Sequence, residues 1–118
     1  MELLSSSKLT EKKSKFFAFL YGVGGEDDVK EVVSVLKRKH KKSSHICYGL
    51  ILDGGEKFKN DGEVGHPGKV LLEILRKNNY NSHILIAVRY FGGIKLGPGG
   101  VSRAFRSVGR SCISHNPH

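Results

Sequence analysis

The stretch VRYFGGIKLGPGGVSRAF, Val88 to Phe105, gathers five glycines into the nine residues from Gly92 to Gly100. An apolar, strand-like run precedes them and a helix-like run follows. Where a strand passes through glycine turns into a helix, the first N–H groups of the helix lack intrahelical partners, and the dipole favours negative charge there. Glycine turns can add a concave nest of amides. Gly97, Gly99 and Gly100 would supply such amides, and Arg89, Lys95 and Arg103 the side-chain charge. The chemistry is anion binding, with nucleic-acid phosphate as one candidate. The plainer alternative is that the glycines only supply positive φ angles for a tight crossover. Nucleotide-loop patterns do not fit. Gly68-Lys69 is followed by Val70 rather than Ser or Thr, and Gly97-Pro98-Gly99-Gly100 lacks the dinucleotide spacing.

A second concentration is NDGEVGHPG, Asn60 to Gly68. In an extended segment the Asp61 and Glu63 carboxylates share a face. They could act as acid and base or, with His66, hold a metal. An ordinary turn at Asp61-Gly62, with Glu63 solvated, explains the same residues. Neither the six histidines nor the two cysteines, Cys47 and Cys112, form a zinc spacing. No cofactor is expected. The third candidate is the basic run Lys37, Arg38, Lys39, Lys41 and Lys42. It could track a phosphate backbone, or simply complement the dipole at a helix end.

The elements that must position these groups follow from periodicity. A strand is expected from about Lys15 to Val23. A helix follows from Glu26, with Val29, Val32, Val33 and Leu36 on one face. A strand over His45–Leu52, a turn at Asp53-Gly54-Gly55 and a short strand near Glu56–Asn60 come next. A helix from about Lys69, an apolar strand from His83 and a helix opened by Pro98 complete the order. This predicts an α+β domain: one mixed sheet with helices packed on it. With 118 residues and 38% hydrophobic content, one domain with its own core is expected. Residues 1–13 and 114–118 are expected to be flexible. The polar N-terminus shows no secretory pattern, and the longest apolar run, Ile84 to Val88, is too short for a membrane span. With two cysteines that read as reduced core thiols, a cytoplasmic location is expected, with no membrane partner. The net charge of +9 favours RNA, a ribosomal surface or an acidic protein partner.

The glycine-rich string resembles the hallmark of the IMPACT family, which includes the bacterial YigZ proteins. Val88 to Gly93, Lys95 to Gly97, Gly99, Gly100, Arg103 and Ala104 match it. Val101 stands for a leucine and Phe105 for a tyrosine. FKNDGEVGHPG resembles the family's Asp-Gly-Glu-Pro segment at Asp61, Gly62, Glu63, Gly65 and Gly68, and departs from it at Val64, His66 and Pro67. SKFFAFL and HICYGLIL resemble its first strand and its histidine-containing strand, which places His45. The resemblance covers nearly the whole chain. It implies a fold similar to the second domain of a small-subunit ribosomal protein and to domain four of elongation factor G. Bacterial relatives carry a ferredoxin-like domain after this one and eukaryotic relatives a different domain before it; here a single IMPACT-type domain over 1–118 is expected. Eukaryotic members are linked to control of translation initiation under amino-acid stress. Together these point to a non-catalytic regulatory binding domain of translation or stress response. It would contact RNA, ribosome or a protein partner through its basic glycine-loop surface. The alternative is an enzyme acting on a phosphate- or carboxylate-bearing small molecule through Asp61 and Glu63. Two polar glycine loops recurring in the family pattern favour that alternative over a purely electrostatic binder.

Overall fold

HILIAVRY is apolar on both faces because both faces are covered. In the computed structural model, which describes residues 1–117, it forms strand β5 (His83–Tyr90) at the centre of a five-stranded sheet. The other elements, in chain order, are β1 (Glu2–Glu11), β2 (Ser14–Gly22), α1 (Glu26–Lys39), β3 (His45–Leu52), β4 (Gly55–Lys59), α2 (Pro67–Lys77) and α3 (Gly97–Ser114). The strand order is β1-β2-β5-β3-β4. Every pairing is antiparallel, so the sheet is not mixed. β2 and β3 do run the same way, but β5 lies between them and is antiparallel to both.

Side chains alternate across the sheet with period two. Phe16, Ala18, Leu20, Cys47, Ile51, Leu85 and Ala87 face one core, shared with Leu71, Leu75, Phe105 and Val108 of α2 and α3. Tyr21, Ile46, Leu50, Ile84, Ile86 and Val88 face the other, closed by Val29, Val32 and Leu36 of α1. Two helices thus cover one face and a single helix covers the opposite one. Phe16 is fully buried under α3, in edge-to-face contact with Phe105 at 5.2 Å. Phe17 and Phe19 point the other way and stay half-buried. Burial pushes both cysteine thiols up, away from the reactive thiolate form.

The expected flexible start is in fact edge strand β1. Its apolar pattern is weak because its serines bond to helix backbone: Ser5 Oγ donates to the Cys112 carbonyl (2.8 Å) and Ser7 Oγ to that of Val108 (2.6 Å). At the other end, α3 runs to Ser114, His115 Nδ1 lies 2.8 Å from the Ser6 carbonyl, and Asn116 is buried with its amide donating to the Tyr80 hydroxyl. Of the expected flexible tail, His118 lies outside the described residues. α1 stops at Lys39, three residues short of the basic run's end, with His40 as its cap.

Gly49 of β3 lets α2 lie directly on the sheet. A Cβ there would sit 2.3 Å from the Leu72 backbone nitrogen. Gly49→Ala is therefore expected to lower the unfolding free energy by about 1–3 kcal/mol, the usual cost of overpacking. Gly22→Ala, where a Cβ meets nothing within 4 Å, should cost far less. Urea denaturation of the two variants checks this, and equal midpoints would rule out the close approach.

Candidate functional site

The two polar glycine loops meet at one end of the sheet. Gly65, at φ 80°, leaves room for the carbonyl of Pro98 at the start of α3; a Cβ there would come within 2.5 Å of it. Gly92 packs against the Lys13 backbone in the β1–β2 turn, and Gly97 takes a positive φ of 72° to start α3. The glycines thus serve both close packing and the crossover.

Beneath the junction lies a buried ion pair. Arg89, at the end of β5, is 5% exposed, and its Nη1 donates to Glu63 Oε2 at 2.9 Å. Its Nη2 donates to Ser14 Oγ (3.3 Å), and its Cζ lies 5.5 Å from the ring centres of both Phe16 and Phe91. Its Nε is buried with no hydrogen-bond partner among the described residues. The Glu63 side chain is 3% exposed; Oε1 accepts the Val64 N–H and Oε2 lies 3.5 Å from His45 Nε2. Asp61 Oδ2 accepts the Ile46 N–H at 2.7 Å, while its backbone carbonyl meets His45 Nδ1 at 2.8 Å. Asn60 Oδ1 accepts the Gly68 N–H at the start of α2 (2.8 Å), and its carbonyl accepts the Cys47 thiol.

This wiring reassigns three expected residues. Arg89 is sealed in the fold with its charge answered by Glu63, so it cannot reach an external anion. Asp61 and Glu63 do not stand free as an acid–base pair: each carboxylate is committed to backbone or to Arg89. His66 takes a left-handed conformation (φ 51°) at the cap of α2, with an exposed side chain that makes no cap bond. Among the described residues no three His, Cys, Asp or Glu side chains are grouped to hold a metal ion.

What stays open is the start of α3. Lys95, Gly97, Gly99 and Arg103 are exposed and Gly100 is half-buried. The helix has no acidic residue in its first turn and no side-chain cap bond. The Arg103 guanidinium folds back over that turn, 3.2 Å from where a Gly99 Cβ would stand. A cleft of about 270 Å³ opens beside it, lined among others by Glu11, Lys12, Gly100, Arg103 and Ser107. Lys12 escapes a reading by periodicity, because its turn joins a strand with no clear apolar pattern. Arg106 and Arg110 do carry a signal, since steps of three residues from Arg103 to Arg106 and of four from Arg106 to Arg110 place all three on one helix face. They line a shallow groove against Lys77 and Glu73 of α2. Lys37, Arg38, Lys39, Lys41 and Lys42 are exposed at the end of α1, which packs on the opposite sheet face.

Residues 12–113 match the family described as the Impact N-terminal domain. The chain belongs to this family. It is 36% identical over 108 residues to the IMPACT family member YvyE of Bacillus subtilis (strain 168), covering 88% of this chain and 50% of that protein. The chain thus spans about half the length of that curated relative. Among solved structures it resembles a hypothetical protein, with a TM-score of 0.83 and 27% identity, over 97% of this chain and 59% of the other. The fold also matches a structure described as the two-domain translational regulator Yih1, with a TM-score of 0.60 and 24% identity, over 97% of this chain and 46% of that one. In this IMPACT-type domain, the Asp61–Gly62–Glu63 segment and Arg89 of the hallmark string are thus joined by one buried ion pair.

Removing one member of a buried pair strands the other charge. Glu63→Ala and Arg89→Ala should each cost about 3–5 kcal/mol of stability, with the double variant losing far less than the sum of the two. Denaturant titration of the four proteins checks this. Losses below about 1 kcal/mol would mark the pair as solvent-screened.

Proposed function

We propose that this chain is a non-catalytic binding domain in the control of translation, and that it contacts RNA phosphates through the first turn of α3. One observation carries the reading: Arg103 places a cation on the positive end of a helix that has neither an acid nor a side-chain cap there. Like charges are thereby concentrated where an N-terminus would normally be neutralised. Such local conflict is expected where an anion completes the arrangement. Lys95 and Lys12 add to the same field, the latter from a cleft wall that also carries Glu11. The net charge of +9 supplies long-range attraction to a polyanion. The description of the fold relative Yih1 as a translational regulator supports the biological setting. The enzyme alternative would need free carboxylates at Asp61 and Glu63, and both are engaged within the fold.

Lys95→Gln with Arg103→Gln is expected to weaken RNA binding, measured by fluorescence anisotropy. It should flatten the salt dependence by about 0.7 for each phosphate of a single strand that is no longer neutralised. Thermal stability should hardly change, since both side chains are exposed. Lys37→Gln, Arg38→Gln and Lys39→Gln together, on the opposite face, give the measure of mere basicity. An equal loss there would make binding diffuse and remove the special role of α3. If the wild-type protein binds no RNA at low salt, the RNA reading fails and an acidic protein partner takes its place.

A further inference from the structure

We infer that the sheet face left open beside α1 is a stacking platform for unpaired bases of single-stranded RNA. Phe17, Tyr90 and Phe91 would form its aromatic surface, and Lys8, Lys13 and Lys15 its phosphate contacts. The inference deepens the RNA reading and rests on it, but uses a different set of residues.

A single helix cannot cover five strands. α1 closes the centre of its face and leaves the β1–β2 end uncovered. Two adjoining cavities open there. One, of about 390 Å³, is lined by Lys13, Lys15, Phe17, His40, Tyr90 and Phe91. The other, of about 420 Å³, is lined by Lys8, Leu9, Thr10, Lys15 and Phe17. Both fall within the range of small-ligand pockets, about 300–1,000 Å³, and they share Lys15 and Phe17. The rings are held in place. Phe17 and Tyr90 meet edge to face at 5.9 Å, and the Tyr90 hydroxyl lies 2.6 Å from His40 Nδ1. Burial, then the charge of Lys39, holds His40 below the usual imidazole range. Phe91 is 51% exposed, with Arg89 fixed against it.

The charge around this apolar floor is of one sign. Among the described residues, no acidic side chain lines either cavity. Among the same residues, Lys8, Lys13 and Lys15 have no ion-pair partner. Partly exposed aromatic rings rimmed by unanswered cations fit a ligand that alternates planar apolar rings with anions, which is single-stranded nucleic acid. A duplex fits poorly, because its bases are stacked and the deep groove of A-form RNA is closed to side chains.

The turn between β1 and β2 is an independent sign. Lys12 and Lys13 are its two central residues, and both are left-handed, at φ 44° and 66°. That geometry belongs to Asn-Gly and is strained for lysine. Strain kept in place by residues of one charge points to a function for the charge. Lys12 lines the cleft at α3 and Lys13 lines the platform. An RNA strand passing over this turn would engage both sites.

The test is anisotropy with a labelled oligouridylate and with the same length of RNA duplex. Phe91→Ala should weaken single-strand binding at least about fivefold, the lower bound for one lost base stack. Its effect on duplex binding should be smaller. Lys13→Gly should leave the Tm unchanged or higher, because it relieves the strained turn, and still weaken single-strand binding. If both variants bind oligouridylate like wild type while the Lys95/Arg103 variant does not, the platform is refuted and the α3 reading stands. Wild-type preference for the duplex would likewise refute it. If polyglutamate binds instead and depends on Phe91, the surface belongs to an acidic protein. If wild type binds no RNA at low salt, the platform and the α3 reading fall together.

Discussion

A guanidinium and a carboxylate, closed off from water at one end of the sheet, set the position of everything around them. Arg89 and Glu63 tie the last residues of β5 to the loop before α2. Through Ser14, which also accepts the Gly92 N–H at 3.2 Å, the same group reaches the start of β2. Through His45 it reaches the start of β3. A buried pair of this kind adds little net stability, because desolvation opposes the attraction. Its effect is on arrangement: any packing that separates the partners leaves a charge stranded. The glycine loops are free to differ from ordinary turns because their anchors lie beneath them. Within that frame Gly65 and Gly92 allow backbones to touch, and Gly97 turns the chain into α3.

Much of the architecture is legible in residue order. The alternation in β2 and β3, the Val29–Leu36 face of α1 and the two-sided apolar run of β5 each announce an element by periodicity alone. β1 cannot be read that way, because Ser5 and Ser7 satisfy helix carbonyls a hundred residues away. The sheet is legible in content but not in direction, since no local pattern shows β5 inserting between β2 and β3.

The site is legible in place and not in detail. That the two glycine loops meet is foreseeable from each flanking a strand end. The fate of Arg89 is not: an arginine after an apolar strand reads the same whether it faces solvent or a buried glutamate 26 residues back. The Arg103–Arg106–Arg110 spacing marks a basic helix face without any structure, though the glycines beside it draw the eye first. Phe17 and Tyr90 depend on a fact no sequence window holds, namely that only one helix covers their face of the sheet.

The central place of β5 also sets the order in which the molecule can be assembled. β5 is the seventh of eight elements along the chain, yet it sits between β2 and β3. While the chain is being synthesised from its N-terminus, β1–β2 and β3–β4 can exist only as two separate hairpins, each marginal in water. They have no common neighbour until residues 83–90 have emerged. The polar edge of β1 waits longer still, since the acceptors for Ser5 and Ser7 lie in the last helix. Folding is therefore a late, nearly all-at-once event dominated by distant pairings, with the slow closure such pairings bring. Until β5 arrives, the nascent chain presents two open hairpins whose unpaired inner edges are exposed to association with other chains.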